Sequence, residues 1–260
     1  MSTIIREKLQ SDLLQREIPY AVILPKEALV SGKQFPVLYL LHGLFGSFEN
    51  WVELTDLLTY AESSGLIIVL VEGGNNWYSD SVTTESDKFE SYFIEELLVT
   101  VESLFPVDRT SRAVAGLSMG GYGAYKFAIK YPRRFSFAGS MSGAFIATRL
   151  STGRCPQEFE ELLPSIEDVF GEAGSSSRAA NDIFQLISRS SREEVAQLPY
   201  FYLDCGLDDS FLETNQELAR LLREKEIRFD YYEEAGAHDW IYWNKQLEKM
   251  IQHIREHLPG

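Results

Sequence analysis

The chain alternates short apolar runs with amphipathic stretches, and this alternation restricts the fold more than any other feature of the sequence. Six apolar runs lie at residues 35–43, 65–74, 111–118, 135–144, 199–206 and 227–236. Most are apolar at consecutive positions, as is typical of strands covered on both faces. Helical spacing between them predicts helices at about 50–62, 89–104, 120–131, 211–224 and 239–257. The alternation predicts an α/β fold with a mostly parallel central sheet and helices on both faces.

Two parts of the chain depart from this alternation. Residues 3–14 and 16–25 read as two strands, the first with charges at alternate positions, and we expect an antiparallel pair at the N-terminal edge of the sheet. Residues 145–197 are polar and helical or irregular, and they separate two predicted strands. We expect residues 1–260 to form a single domain, with 145–197 as a cap-like insertion over the sheet.

Charge and cysteine content restrict the partners and the compartment. The formal net charge is −15, from 24 basic and 39 acidic residues, so the surface repels nucleic acid and anionic membranes. Two cysteines are too few for a disulfide framework, and the charged N-terminal residues do not resemble a signal peptide. We therefore expect a cytoplasmic protein with a small-molecule partner. A homo-oligomer is compatible with the sequence, which does not specify an oligomeric state.

The pentapeptide Gly116–Gly120 matches the pattern G-x-S-x-G. The pattern is weak alone, but here it follows a predicted strand and opens a predicted helix, which is the setting of a nucleophile elbow. Such a turn presents its serine at the start of the helix and requires small neighbours. The sequence therefore predicts Ser118 as a nucleophile.

A serine nucleophile needs a base, and the base needs an orienting acid, in the chain order Ser, acid, His for this kind of fold. Of the histidines after Ser118, His238 lies in a glycine-containing loop between a predicted strand and the last helix, as a base should. Three aspartates near the end of the preceding strand could be the acid, namely Asp204, Asp208 and Asp209. Asp204 falls within the predicted strand. Asp208 and Asp209 are adjacent, so we expect one to face the histidine and the other to cap the helix that begins near Phe211.

Two backbone N–H groups should converge on the oxyanion of such a site. One is expected from Met119, the residue after the nucleophile. The other is expected from Leu44, where Gly43 allows the backbone after the third strand to turn toward the site.

The chain resembles the putative-esterase family of α/β-hydrolases, which includes S-formylglutathione hydrolase (esterase D), tributyrin esterases and feruloyl or cinnamoyl esterases. The resemblance covers nearly the whole chain and is densest in REIPYAVILP, PVLYLLHGLFGSFENW, FPVDRTSRAVAGLSMGGYGA, CGLDDSFL and GAHDWIYW. It implies the α/β-hydrolase fold, with Ser118 as nucleophile and His238 as base. It also implies Asp209, the second aspartate of the Gly-x-Asp-Asp stretch, as the acid, with Asp208 in reserve, and Leu44 and Met119 as oxyanion donors.

Departures from the esterase D pattern bear on the substrate. The loop after Gly43 reads LFGS and lacks the cysteine found in esterase D-like enzymes, and GGNNWYSDS at 73–81 is similar to the tributyrin and cinnamoyl esterases. We expect a serine carboxylesterase for short-chain acyl or aryl esters that needs no cofactor. An S-formylglutathione hydrolase-like thioesterase and an acyltransferase that uses the same site are alternatives, and a non-enzymatic binding module is disfavoured because all three triad residue types occur in order.

Other side chains are weaker predictions. Trp77, Tyr78 and Trp240 are expected either in the substrate pocket or in the core, and His42 either contacts substrate or braces the oxyanion loop. The segment HIREH at 253–257 matches the inverted zinc-protease pattern H-x-x-E-H, but only three residues follow it, so we expect no metal site.

Overall fold

The central sheet of the computed structural model contains eight strands, and the structure describes residues 2–29 and 32–259. The spatial order of the strands is β1-β2-β4-β3-β5-β6-β7-β8. Their bounds are β1 Thr3–Ser11, β2 Arg16–Leu24, β3 Phe35–Leu41, β4 Ile67–Val71, β5 Val107–Leu117, β6 Phe137–Met141, β7 Tyr200–Gly206 and β8 Phe229–Glu234. β1 pairs with β2, and β2 with β4, in antiparallel register, whereas every later pairing is parallel. The predicted mostly parallel sheet with an antiparallel N-terminal edge is confirmed.

Helices cover both faces of this sheet. They are α1 Asn50–Glu53, α2 Leu57–Ser64, α3 Phe89–Ser91, α4 Leu98–Leu104, α5 Met119–Lys130, α6 Leu163–Phe170, α7 Ser176–Asn181, α8 Ile183–Arg189, α9 Arg192–Val195, α10 Leu212–Glu224 and α11 Trp240–His257. Successive residues of β3 alternate between two buried apolar clusters. One cluster contains side chains of α4, α5, α8 and α10, and the other contains side chains of α1, α2 and α11. Strands covered on both faces must be apolar at consecutive positions, which explains the runs in the sequence.

Two predicted helices differ in detail from the structure. The helix expected at 50–62 is split into α1 and α2 because the Thr55 hydroxyl donates to the Trp51 carbonyl and accepts from the Leu57 N–H at 3.2 Å. The helix expected at 89–104 contains a π-helical turn at Tyr92–Leu97 between α3 and α4. Apolar spacing does not distinguish these interruptions from a regular helix.

The segment 145–197 consists of short helices joined by turns. It contains α6 to α9 and two 3₁₀ turns, Ala147–Arg149 and Gln157–Leu162. Its apolar side chains, such as Phe145, Ile166 and Phe170, join the cluster formed with α5. Within the described ranges no helix combines the length and the apolar character needed to cross a bilayer.

Candidate active site

Ser118 occupies the sharp turn between β5 and α5. Its backbone adopts φ 52° and ψ −116°, a conformation that non-glycine residues rarely populate. The surrounding backbone holds this turn, since the Ser118 N–H donates to the Met141 carbonyl at 2.9 Å and the Ser118 carbonyl accepts from the Ala144 N–H at 3.1 Å. The turn leaves the hydroxyl at the first turn of α5, at the wall of a cavity.

The two flanking glycines permit a close approach of backbone segments. A Cβ at Gly116 would lie 2.5 Å from the Leu41 carbonyl oxygen, and a Cβ at Gly120 would overlap the same oxygen. Any side chain at either position would therefore push α5 away from the end of β3. This explains physically why the sequence places glycines on both sides of the serine.

His238 joins Ser118 and Asp209 in one line of hydrogen bonds. His238 Nε2 lies 3.0 Å from Ser118 Oγ, and His238 Nδ1 lies 2.9 Å from Asp209 Oδ2. A carboxylate can only accept, so Nδ1 carries the proton and Nε2 is left to accept from the serine hydroxyl. The Asp209 side chain is fully buried, whereas the His238 side chain is 28% exposed.

The loops after β7 and β8 are held together by backbone hydrogen bonds, which brings acid and base into contact. The Leu207 N–H donates to the Glu234 carbonyl at 2.8 Å, and the Asp208 N–H donates to the Gly236 carbonyl at 2.9 Å. Asp208 itself points to solvent. The expected division of roles between the two aspartates is wrong, because Asp209 contacts His238 through Oδ2 and accepts from the Phe211 N–H through Oδ1 at 2.8 Å. Asp204 lies inside β7, as expected, and is fully buried.

Two aromatic side chains that the sequence did not single out fix the imidazole. The Phe211 ring centroid lies 4.9 Å from that of His238, and the Trp243 ring meets it edge-on at 4.8 Å. Trp243 is part of the periodic apolar face of α11, which resembles any core position in the sequence. Its contact with the histidine follows only from how α11 packs.

Leu44 and Met119 stand at the positions expected of oxyanion donors. Leu44 is in the turn after β3 and lines the same cavity as Ser118. In that turn the Phe45 N–H is already donated to Asn75 Oδ1 at 2.8 Å, and the Gly46 N–H to the Gly43 carbonyl at 3.2 Å. Met119 is the first residue of α5, so its N–H has no partner within the helix.

His42 braces the loop and does not line the cavity, so of the two roles expected for it, substrate contact is wrong. Its side chain is fully buried. Nε2 accepts from the Gly73 N–H at 3.0 Å, which places the proton on Nδ1, and Nδ1–H donates to the Gly43 carbonyl at 2.7 Å. Glu72 lies 3.3 Å from Nε2. Burial alone would raise the pKa of Glu72, but hydrogen bonds from the Gly74 and Phe48 N–H groups act in the opposite direction, and the pKa lies below its usual value.

Trp77 and Tyr78 belong to the core, so of the two places expected for them, the substrate pocket is wrong. Both are buried, Trp77 donating to Ser165 Oγ at 3.0 Å and Tyr78 to the His42 carbonyl at 3.1 Å. The buried Lys126 ammonium donates to the Tyr78 carbonyl at 2.6 Å and so holds the backbone at Trp77 and Tyr78 in place. Trp240, in contrast, lines the cavity next to Ser118 and His238.

The cavity at Ser118 has a volume of about 450 Å³. It is lined by the ends of β3, β5, β7 and β8, by α1, by the start of α11 and by the 3₁₀ turn Gln157–Leu162. The described residues that line it are Gly43, Leu44, Phe45, Gly46, Asn50, Leu54, Leu117, Ser118, Glu158, Phe159, Glu161, Leu162, Ser210, Phe211, His238, Asp239, Trp240 and Trp243. Four of them belong to the 3₁₀ turn Gln157–Leu162 of the 145–197 segment. Nothing in the local sequence marks these four, because their place at the cavity depends on where the segment folds back.

The potential metal ligands of HIREH lie near the other end of α11. Ligand atoms of His253, Glu256 and His257 are within 4.8 Å of one another. His253 Nδ1 lies 3.2 Å from Asp230, and the His257 ring stacks on Tyr200. This cluster does not line the cavity at Ser118, and the absence of a metal site stays a prediction.

Comparison with known proteins gives consistent relatives. The chain is 28% identical over 228 residues to an acetyl esterase of Caldicellulosiruptor saccharolyticus, covering 86% of this chain and 84% of that protein. It is 28% identical over 255 residues to the diacylglycerol acyltransferase/mycolyltransferase Ag85A of Mycobacterium tuberculosis, covering 84% and 72% of the two chains. A solved ferulic acid esterase superposes with a TM-score of 0.82 at 27% identity, over 98% of this chain and 99% of that one.

The solved structures that this chain resembles have the α/β-hydrolase fold, which the sequence predicted for this chain. The model of the family described as "Putative esterase" matches residues 11–254, nearly the whole chain. The chain belongs to this esterase family of α/β-hydrolases.

Proposed function

We propose that the protein is a serine carboxylesterase in which Ser118, His238 and Asp209 form the catalytic triad. Membership of the family makes the chain an esterase. The observation that carries the triad is the unbroken line from Asp209 Oδ2 through His238 to Ser118 Oγ, with contacts of 2.9 and 3.0 Å at the wall of a cavity.

The hydrogen-bond geometry supports acyl transfer through the serine. His238 Nε2 accepts the hydroxyl proton as Ser118 Oγ attacks the ester carbonyl carbon, and the resulting imidazolium donates that proton to the leaving alcohol. Water then attacks the acyl-enzyme with the same base, releasing the acid and restoring the serine. Asp209 keeps the proton of the neutral ring on Nδ1 and stabilises the imidazolium.

The tetrahedral oxyanion is assigned to the N–H groups of Leu44 and Met119. Leu44 lines the cavity, and the neighbouring Phe45 and Gly46 N–H groups are engaged elsewhere. Preorganised donors of this kind are worth about 10²–10³ in rate each.

Small carboxylic esters, with short acyl or aryl groups, are the substrates that the cavity favours. A volume of about 450 Å³ lies in the range of small-molecule sites and holds an acyl group together with a modest alcohol. Phe159, Phe211, Trp240 and Trp243 provide apolar walls for such groups. The 145–197 segment, through Phe159 and Leu162, is assigned the role of a cap that sets this specificity.

Acyl transfer to an alcohol is the second candidate, because the Ag85A relative is named an acyltransferase. The same acyl-enzyme would then react with an alcohol in place of water. Product analysis of an ester reaction with and without added glycerol separates the two activities. Cytoplasmic location and homo-oligomerisation stay predictions.

A labelling experiment tests the triad directly. A fluorophosphonate probe should modify Ser118 in the intact protein, and Ser118→Ala should abolish both labelling and hydrolysis of p-nitrophenyl butyrate. Ser210→Ala is the matched control, since Ser210 lines the same cavity but has no histidine partner. Labelling that survives in Ser118→Ala would reject the assignment.

A further inference from the structure

Among the described residues that line the cavity, every side chain with a permanent charge is a carboxylate. Three carboxylate side chains line it, Glu158, Glu161 and Asp239, and among the described lining residues there is no lysine or arginine. The Asp239 carboxylate is engaged at the start of α11, where Oδ1 accepts from the Tyr242 N–H at 2.9 Å. Asp239 keeps its negative charge in this contact, and the two glutamates add two more negative charges at the wall of the cavity.

Glu158 and Glu161 are held at the cavity by the buried residues between and beside them. They lie on the 3₁₀ turn Gln157–Leu162, in which Phe159 and Leu162 are buried. Phe159 stacks on Phe211 with ring centroids 4.9 Å apart, which ties this turn to the loop that carries Asp209. Both glutamates are exposed, and no described cation pairs with either one. Their charges are thus unpaired within the described residues.

Aromatic faces complete the wall. Trp240 and Trp243 pack edge-to-face with centroids 5.2 Å apart, and Phe45, which also lines the cavity, is 65% exposed. Aromatic faces attract cations, and carboxylates nearby add to that attraction. An anionic group in the same place would meet two unpaired negative charges in a protein of net charge −15.

We propose that the cavity selects its substrate by charge, so that esters carrying an ammonium group are preferred over neutral isosteres and anionic esters are rejected, with Glu158 and Glu161 as the specificity-determining residues. The inference rests on the proposed esterase function. It places glutathione thioesters, with two carboxylates and one ammonium group, among the poor substrates.

Two matched substrate series test the proposal. One varies the alcohol of an acetate ester, with choline as the cation, 3,3-dimethylbutanol as its neutral isostere and 2-hydroxyethanesulfonate as the anion. The other varies the acyl group of a p-nitrophenyl ester, with 4-trimethylammoniobutanoate as the cation, 5,5-dimethylhexanoate as its neutral isostere and hemisuccinate as the anion. In at least one series kcat/KM should fall about three- to tenfold at each step from cation to neutral to anion at low salt, the range expected for two solvent-exposed charges nearby. The preference should shrink in 0.5 M NaCl.

Substitutions identify the source of the preference. The double variant Glu158→Gln, Glu161→Gln should reduce the cation-to-anion ratio about tenfold or more, and Glu158→Lys, Glu161→Lys should invert it. Glu160→Gln is the matched control, because Glu160 lies on the same turn and is exposed but does not line the cavity. It removes one negative charge from the protein yet should leave the ratio unchanged.

The results distinguish failure of this proposal from failure of the esterase assignment. Neutral esters hydrolysed by the wild type and not by Ser118→Ala establish the esterase. If that enzyme then shows equal kcat/KM across the charges in both series, selection by Glu158 and Glu161 is overturned. It is overturned equally if Glu160→Gln lowers the cation-to-anion ratio as much as the single variants Glu158→Gln and Glu161→Gln do.

Discussion

His42 contacts the peptide unit that joins Gly43 to Leu44. Its Nδ1–H donates to the Gly43 carbonyl, which belongs to the same planar peptide unit as the Leu44 N–H. Fixing the carbonyl therefore fixes the direction of the N–H that we assign to the oxyanion. His42→Asn, whose amide can replace Nδ1, should retain most of the activity. His42→Gln, whose amide reaches the Nε2 position, should lower kcat about 10–10²-fold with little change in KM.

Thermal melts separate this positioning role from a structural one. Each variant loses one of the two hydrogen bonds that the fully buried His42 ring makes, so both should have a lower melting temperature than the wild type. Equal kcat values in the two variants would show that His42 only supports the fold.

Asp208 and Asp209 offer a second comparison between neighbouring residues. Asp209→Asn can no longer hold the proton on Nδ1 of His238 and should reduce kcat by roughly 10³–10⁴. Asp208→Asn changes an exposed carboxylate and should leave kcat within about twofold. Steady-state kinetics on p-nitrophenyl butyrate measures both, and the opposite order would exchange their roles.

Residue types and chain order predicted Ser118 and His238, which are in contact in the structure, but they left three aspartates open, and only the family resemblance pointed to Asp209. The turn chemistry around Ser118 is local, so its glycines are visible in the sequence. The surroundings of the site are not local. No local sequence signal distinguishes Trp77 from Trp240. Only Trp240 lines the cavity, because the 73–81 segment packs inward against Lys126.

At the scale of elements, the contact between α5 and the end of β3 determines the position of the nucleophile. Gly120→Ala would place a Cβ against the Leu41 backbone oxygen, which cannot move without displacing β3. We expect it to lower the free energy of unfolding by about 3 kcal/mol, the upper end for overpacking. Gly65→Ala is the control, since Gly65 has φ 68° but no atom near its Cβ, and strain alone should cost about 1 kcal/mol. Urea denaturation measures both, and equal losses would contradict a steric origin.

Sequence periodicity predicted the strands and most helices because two-sided burial requires apolar runs. It did not predict the break between α1 and α2, which depends on one threonine hydroxyl and on Asn244 of α11, whose Oδ1 accepts from the Asp56 N–H at 2.8 Å. It also could not place the turn Gln157–Leu162 against the loop after β7, because that contact joins residues far apart in sequence.

At the scale of the whole molecule, a buried carboxyl in the sheet links stability to pH. Burial raises the pKa of Asp204 to about 8, although the nearby hydroxyls of Tyr242 and Tyr202 act in the opposite direction. Glu234 adds to the increase, and Lys249 reduces it. Between the unfolded value of 3.8 and about 8 the folded state holds one more proton than the unfolded state. Stability contributed by this proton is therefore complete below pH 4 and is lost as the pH rises through 8.

Asp204→Asn should remove this dependence, because the amide has a similar shape and does not ionise. The free energy of unfolding of the wild type relative to the variant should fall by a few kcal/mol, on the order of 1.4 per pH unit, between pH 4.5 and pH 8. Glu90 also contributes to the pH dependence, because Lys126 and Lys130 outweigh the effect of its burial and lower its pKa to about 2. Both proteins contain Glu90, so its contribution cancels in the comparison. Urea denaturation at half-unit pH steps gives the difference curve. A curve that is flat across this window would show that Asp204 is ionised in the folded protein at neutral pH.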